Sequence, residues 1–396
     1  MSLKDKLLLG EKELSNTYIG SLKHVPRLLN IGALIGGPIF IQGDPGTGKS
    51  SIVRSHFSMF PKMEPFILSG SRFADKTDLI GFRSLKAYKE NDEMIYNVEG
   101  TMVTADLIFL DECLEISEKI NKLLYPIMYE QEFLNGRERR ETNWMMFVGG
   151  TNKKFSELTE SGGFIDRFVL RTFIPNITDA DELTQIRKAN RDRRVGKNRF
   201  LDLKHIGVTR EELAKAREEI LKIDIPDVID EAISNIFIKL NTQGKTASVR
   251  RWTDAVDPVL QAVAYLNGND KVTLDTLDIL TYVLSATPAD MDIISKALQI
   301  AAFNPMIQLS DYARRAENVY SICRDLKKAD QNYTTTLSDS MSELSSIREK
   351  TNDIVARSKQ QNCYTQKLQD LVNSIVEIHT IIATAISTGK PVPSKK

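Results

Sequence analysis

The feature that most restricts the fold of this chain is a glycine-rich loop that follows an apolar run and precedes a helix-forming segment. Residues 39–41 are apolar and typical of a buried strand. Residues 43–50 read G-D-P-G-T-G-K-S, which fits the phosphate-binding pattern G-x-x-x-x-G-K-[ST]. Ile52, Val53 and Phe57 then favour a helix. This order of strand, loop and helix predicts an α/β fold of the P-loop NTPase type with a parallel sheet.

The residue types in the loop suit the binding of ATP or ADP with Mg²⁺. Glycines let successive N–H groups converge on a phosphate, and a helix N-terminus adds partial positive charge. Lys49 is predicted to reach the β- and γ-phosphates, and the Ser50 hydroxyl to bind Mg²⁺. The alternative is a glycine-rich turn without a ligand. The predicted nucleotide contacts are Gly43, Asp44, Pro45, Gly46, Thr47, Gly48, Lys49, Ser50 and Ser51.

A second apolar run, residues 107–110, ends in Asp111 and Glu112. In P-loop proteins such a strand lies beside the first, and its terminal carboxylate, here Asp111, binds Mg²⁺. Glu112 is then predicted to orient or deprotonate the attacking water, because a general base must lie within hydrogen-bond reach of it. An apolar run followed by two acids can also be a strand end with solvated carboxylates. The preceding phosphate loop favours the catalytic interpretation.

Three more positions are candidates for the same site. A third apolar run, residues 144–148, leads to Asn152, which could bind the γ-phosphate or the lytic water, or could simply end a strand. Arg167 and Arg171 follow. An arginine from a neighbouring subunit can stabilise the charge on a transferring phosphoryl group. Spacing alone leaves a surface ion pair as an equal alternative for either arginine.

Composition argues against several classes of protein. The chain has 396 residues and a net formal charge of zero, so no global charge favours nucleic acid or membrane. Its three cysteines match neither zinc nor disulfide spacing, which indicates a reducing cytoplasm. No apolar run approaches the length of a membrane span. Residues 187–199 are strongly basic and could contact phosphates, but such a run is more often a solvated loop between helices.

With these residues in view, the chain resembles AAA+ ATPases of the MoxR family, and most closely their RavA branch. The resemblance runs from about residue 15 to about residue 290. The phosphate loop and the acidic pair are shared by many NTPases. Three segments indicate the branch: D-L-I-G within residues 75–82, E-F-L-N-G within residues 121–138, and S-V-R-R-W within residues 248–256.

The resemblance implies roles for individual residues. Asn152 resembles the sensor 1 residue, and Arg167 resembles the arginine finger, with Arg171 as the second choice. Arg250 resembles the sensor 2 arginine of the helical lid, although Arg251 leaves that assignment open. The family also implies a ring, commonly a hexamer, with ATP at subunit interfaces, a chaperone-like action on protein clients and a partner with a von Willebrand factor A domain.

The predicted domains are an AAA+ α/β core (1–177), an all-α lid (178–300), a long C-terminal helical hairpin or arm (301–388) and a disordered tail (389–396). A β-hairpin is predicted within residues 82–103. In the arm, residues 368–382 carry an apolar seam for packing against another helix, and the segment is otherwise too polar to form a core alone. Three other functions remain open: a motor or restriction-type NTPase stimulated by nucleic acid, a scaffold whose assembly is set by nucleotide, and a metal-insertion ATPase of a sister AAA+ class, which would need a separate chelating subunit.

Overall fold

The computed structural model describes residues 1–70, 74–153, 162–177, 180, 183–184, 186–187, 200–245, 247–301, 305–326, 333–360, 366–388 and 392–393. The chain divides into two compact units, Met1–Ala302 and Phe303–Lys396.

A parallel five-stranded sheet forms the centre of the first unit, as predicted. Its strands, in spatial order, are β2 (Pro65–Ser69), β3 (Leu107–Asp111), β6 (Met146–Thr151), β1 (Ile39–Gly43) and β7 (Leu170–Ile174). The expectation that β3 lies directly beside β1 is wrong, because β6 pairs with both and separates them. Since all five strands run the same way, the carboxyl ends of β1, β3 and β6 meet at one edge.

Side chains alternate between two hydrophobic clusters on the two faces of this sheet. In β1, Ile39 and Ile41 join one cluster while Phe40 joins the other. The first cluster also includes residues of α1 (Leu3–Thr17), α2 (Val25–Ile35) and α3 (Lys49–Phe57). The second lies against α6 (Glu118–Tyr129) and α7 (Gly162–Ile165). Burial on both faces explains why the strand sequences are continuous apolar runs.

The segment between β2 and β3 departs from the sequence prediction. Instead of a β-hairpin it contains two short helices, α4 (Lys76–Ile80) and α5 (Leu85–Asn91), and a single antiparallel bridge between Arg83 and Tyr96. The Ser84 hydroxyl accepts the Ala87 N–H at 3.2 Å, and this N-cap favours a helix where the alternation predicted strands. A two-stranded hairpin follows α6 instead: β4 (Glu132–Asn135) and β5 (Glu138–Glu141).

The predicted helical lid follows the sheet. Its helices are α8 (Arg210–Ile220), α9 (Asp227–Thr242), α10 (Val256–Asn267), α11 (Thr281–Leu284) and α12 (Pro288–Ala301), with a π-helical turn at Arg251–Ala255. Pro226 directly precedes α9, as its position in the sequence predicted. The lid packs into the cluster that also holds α1 and α2. Of the basic run, only Arg187 lies within the described residues, and it is exposed.

The described residues of the second unit form three helices, where the sequence predicted a hairpin of two. They are α13 (Pro305–Asp325), α14 (Tyr333–Gln360) and α15 (Gln366–Thr388). The predicted seam is confirmed, since Ile375, Ile378 and Ile382 are fully buried. They contribute to hydrophobic clusters that all three helices share, so the expectation that this segment could not form its own core is wrong.

Two expectations about the C-terminal part need correction. By length and composition alone, Leu368–Thr388 could cross a membrane, with a mean hydropathy of 1.4, although a core helix of a bundle passes the same test. The expected absence of such a run was therefore too strict. In the tail predicted to be disordered, Val392 packs against α-helical residues and the Pro393 carbonyl accepts the Tyr320 hydroxyl at 2.7 Å. The rest of that tail lies outside the described residues.

Replacing Phe168 tests whether its cluster of aromatic rings stabilises the first unit. Its ring is fully buried and lies 5.3 Å from the rings of Phe40 and Phe164. We expect Phe168→Ala to lower the free energy of unfolding of this unit by about 3–5 kcal/mol, because it leaves a cavity between packed aromatic rings. The matched control is Phe82→Ala, since Phe82 is 72% exposed and should change stability by no more than about 0.5 kcal/mol.

Tryptophan fluorescence during denaturation measures both variants. The chain's two tryptophans, Trp144 and Trp252, belong to the first unit and report on it selectively. Equal losses in the two variants would contradict the proposed importance of the aromatic cluster.

Candidate functional site

The phosphate loop has the backbone geometry that its glycines predict. Gly46 and Gly48 have φ values of +82° and +96°, a region that other residues rarely adopt. Gly48 is the N-cap of α3, so the helix begins at Lys49 with its free N–H groups at the loop. A Cβ on Gly48 would also meet the Leu22 side chain at 3.1 Å. The loop therefore presents a helix N-terminus at the edge where β1 ends.

Lys49 is the most enclosed charged group of the site, with 5% of its surface exposed. Its Nζ donates to the carbonyl oxygens of Gly43 at 2.6 Å and Asp44 at 3.1 Å, and to the Asn152 side-chain oxygen. Burial lowers the pKa of Lys49, and the nearby carboxylates of Glu112, Asp111 and Asp44 oppose that shift. The ammonium group is thus held by neutral oxygens at the mouth of the loop.

Ser50 and Asp111 meet across an intervening strand. The Ser50 hydroxyl donates to Asp111 Oδ2 at 2.5 Å although β6 separates the strands that lead to them. Gly150 of β6 makes this contact possible, because a Cβ there would lie 3.1 Å from Asp111 Oδ1. No local motif marks the two glycines of the V-G-G-T-N run as part of a site. A hydroxyl and a carboxylate oxygen are donors of the kind that Mg²⁺ prefers, so this pair fits the predicted metal site.

Glu112 has a left-handed backbone conformation, with φ of +53°. Such a conformation is uncommon for a residue other than glycine and tends to occur at functional sites. The Glu112 carboxylate accepts the Asn152 backbone N–H at 2.9 Å. Burial raises the pKa of Glu112; the bond from Asn152 opposes this rise, and the neighbouring Asp111 charge adds to it. The carboxylate therefore lies in an environment that favours proton acceptance.

Sequence reasoning missed the residues beside the loop. The Asn176 side chain, just after β7, donates to the Asp44 carboxylate. A cavity of about 250 Å³ lies between the loop, the end of α1 and the segment after β7. Tyr18, Ile19 and Leu22 line it on the N-terminal side. These residues were part of the family resemblance, but no local motif marked them as neighbours of a strand end.

The four candidate arginines fall into two groups. The guanidinium carbon of Arg167 lies 3.5 Å from the Tyr125 ring centroid, and that of Arg250 lies 3.2 Å from the Tyr129 ring centroid. Those tyrosines are one helical turn apart on α6, so α6 holds both arginines. Arg171 and Arg251 are instead buried. Burial, and then the Arg251 charge, lowers the pKa of Arg171 to about 9.

The structure thus brings five of the predicted residues together at one edge of the sheet: Lys49, Ser50, Asp111, Glu112 and Asn152. The arginines are not among the hydrogen-bond partners described for these five. Arg167 donates to the Gly163 carbonyl, and Arg250 pairs with Asp254 at 3.7 Å.

Gly150→Ala tests the contact between Ser50 and Asp111. The added methyl group should displace the Asp111 carboxylate and reduce the Mg²⁺-dependent part of ATP affinity about tenfold, which corresponds to about 1.4 kcal/mol. Titration of a fluorescent ATP analogue with Mg²⁺ and with EDTA measures that part. Lys49→Ala is the comparison, because it should lose binding under both conditions. If Mg²⁺ increases the ATP affinity of Gly150→Ala as much as that of the parent protein, the assignment of Ser50 and Asp111 to the metal is wrong.

Three relatives of known sequence each align with part of this chain. Two uncharacterized proteins of Methanocaldococcus jannaschii are 29% identical over 246 residues and 26% identical over 293 residues. A structural protein of Acidianus two-tailed virus is 22% identical over 310 residues. These alignments cover 61%, 73% and 70% of this chain. The chain spans 61%, 72% and 49% of the length of those relatives.

Among solved structures, a candidate ATPase from Cytophaga hutchinsonii has the same fold. The TM-score is 0.56 at 19% identity, over 74% of this chain and 96% of the other.

Two family models match this chain. Residues 228–298 match the model of an AAA lid domain. Residues 5–215, more than half of the chain, match the model described as the MoxR domain in the MoxR-vWA-beta-propeller ternary systems. Neither description distinguishes the RavA branch, which stays a prediction. The fold, the phosphate loop with its acidic partner strand, and this match show that the chain belongs to the MoxR family of AAA+ ATPases.

Proposed function

We propose that this protein hydrolyses Mg-ATP at the subunit interfaces of a ring and uses the hydrolysis to remodel or activate a protein client. The contact between Ser50 and Asp111 carries the proposal. It joins the helix that begins at the phosphate loop to the strand that ends in two acids. Lys49, Glu112 and Asn152 complete the group at the same edge.

Each residue has a role that its surroundings support. Lys49 exchanges the carbonyl oxygens of its own loop for β- and γ-phosphate oxygens. Ser50 and Asp111 are the residues that would hold Mg²⁺, and the ion would supply positive charge beside the phosphates. Glu112 accepts a proton from the attacking water, a role that its raised pKa supports. Asn152 fixes Glu112 through its backbone N–H, and we assign its side chain, whose oxygen accepts from Lys49 in this structure, to contact with the γ-phosphate.

The cavity beside the phosphate loop suits the base of the nucleotide. Its volume of about 250 Å³ is adequate for a purine ring, and its wall combines Tyr18, Ile19 and Leu22 with the loop backbone. Because Leu22 and Gly48 both line this cavity, a base bound there would lie directly beside the phosphate loop.

Arg167 is our choice for the arginine that a neighbouring subunit contributes. It is partly exposed and its side chain packs against Tyr125 of α6, whereas Arg171 is buried within β7. The same comparison favours Arg250 over Arg251 as the sensor 2 residue, since 37% of the Arg250 side chain is exposed and Arg251 is buried. A guanidinium near the transferring phosphoryl group lowers the barrier by stabilising its charge.

The partner and the client are also part of the proposal. The matching family model is named for ternary systems with a von Willebrand factor A protein, which supports a partner of that kind. Phe82, Leu85, Tyr88 and Met94 are large, apolar and exposed in the segment around α5, and such a surface suits contact with a client polypeptide. We place the protein in the cytoplasm and propose that its ring is a hexamer.

One relative favours a second function. The viral relative is named a structural protein, which supports a scaffold in which bound nucleotide sets assembly without turnover. The two proposals differ in the expected rate of hydrolysis.

Glu112→Gln separates binding from hydrolysis. The variant should bind ATP with unchanged affinity and lose at least about a hundredfold in turnover, because its amide cannot accept the proton. Phosphate release and binding of a fluorescent ATP analogue measure the two properties. Glu115→Gln is the matched control, since Glu115 pairs with Lys153 at 3.4 Å one turn away and has no proposed contact with water. Parental turnover in Glu112→Gln would refute its catalytic role. Negligible turnover in the parent would favour the scaffold.

A further inference from the structure

Arg251 makes more polar contacts than any function assigned so far requires. Its side chain is 4% exposed, and every one of its five N–H donors can be accounted for. Nε donates to Asp166 Oδ1 at 2.8 Å. The two terminal nitrogens donate to four carbonyl oxygens: Asp166 at 2.9 Å, Phe168 at 2.8 Å, Val169 at 3.3 Å and Val283 at 2.7 Å.

These contacts join the lid to one short stretch of the core. Arg251 begins the π-helical turn of the lid, a rare element that is frequent at functional sites. Ser248, also in the lid, donates to Asp166 Oδ2 at 3.2 Å. On the core side the bonded groups belong to Asp166, Phe168 and Val169, which lie within the four residues immediately before β7. The lid therefore fixes this stretch through a charged pair and three backbone carbonyls.

Arg167 lies inside the fixed stretch. Its neighbours Asp166 and Phe168 are both bonded to Arg251, while its own side chain points to Tyr125 of α6. A planar guanidinium with all donors occupied allows little variation in the positions of its acceptors. Any rotation of the lid turn would have to move the backbone on both sides of Arg167 or break buried hydrogen bonds, which are costly to leave unpaired.

We propose that Arg251 and Asp166 are positioning residues for Arg167, so that the lid of one subunit controls the arginine which that subunit offers to its neighbour. The inference rests on the proposed role of Arg167 in a neighbouring site. Coupling between subunits would then run in one direction around the ring. The lid that responds to the nucleotide of its own subunit would control the rate of hydrolysis in the next subunit. Arg250 and Arg251 then have separate tasks, one on the surface beside α6 and one within the joint between lid and core.

Mixed oligomers test this direction. Lys49→Ala subunits can donate Arg167 but cannot use ATP, and Arg167→Ala subunits have an intact ATP site without a donated arginine. Mixing the two should restore hydrolysis. Asp166→Asn is then added either to the donor, giving Lys49→Ala/Asp166→Asn, or to the receiver, giving Arg167→Ala/Asp166→Asn. We expect the donor variant to lose about tenfold of the restored rate and the receiver variant to keep it.

A mere loss of stability would lower both rates, so the contrast between donor and receiver identifies positioning. Glu212→Gln in the donor is the matched control, because Glu212 forms a partly buried pair with Lys6 at 2.7 Å far along the chain from Arg167. It should leave the restored rate unchanged. Arg251→Lys is the second variant, since lysine can pair with Asp166 but cannot reach all four carbonyls. Melting followed by tryptophan fluorescence checks that each donor is folded.

The outcomes separate the two proposals. If unmodified donors fail to restore hydrolysis in oligomers that contain both chains, Arg167 does not act in a neighbouring site, and the proposed function fails with the inference. If they restore it and folded Asp166→Asn and Arg251→Lys donors do so equally well, the positioning role is wrong and the role of Arg167 stands.

Discussion

The contact between the Ser50 hydroxyl and the Asp111 carboxylate is the interaction on which the site depends. It requires three strands in the order β3, β6, β1 and a middle strand without a side chain at Gly150. The phosphate loop, the two acids and Asn152 then converge because parallel strands end at one edge of the sheet. The buried apolar runs of these strands stabilise the sheet and, by the same packing, fix the positions of the polar residues that follow them.

A second constraint is the buried guanidinium of Arg251, which connects the lid to the backbone around Arg167. Burying a charge is favourable only when its hydrogen bonds are satisfied, and here all donors have acceptors. Arg171 provides the contrast, because its Nε is buried without a partner and its remaining described bond, to Val283, is 3.4 Å long. Two arginines that are equally buried therefore differ in how many hydrogen bonds they make. Through Arg251, the lid therefore restrains the backbone on both sides of Arg167.

Local patterns predicted that the polar residues at three strand ends would lie close together, and the structure brings five of them to one edge of the sheet. The P-loop pattern carries its own backbone geometry, and an apolar run followed by acids or Asn marks a strand end without knowledge of its neighbours. Periodicity failed around α5, where the Ser84 cap and the helix it begins outweighed an alternating pattern. It also underestimated the C-terminal unit, whose polar sequence still provides enough buried Ile and Leu for three helices to share a core.

The sequence by itself determined the class of fold, the family resemblance and the chemistry at the ends of three strands, because each of these is written in contiguous residues. Only the tertiary structure decided which of two adjacent arginines is exposed, since Arg250 and Arg251 are indistinguishable in composition and spacing. It also decided that β6 separates β1 from β3, and that Tyr18, Ile19 and Leu22 border the phosphate loop. These facts depend on contacts between residues far apart in the chain, which no local pattern encodes.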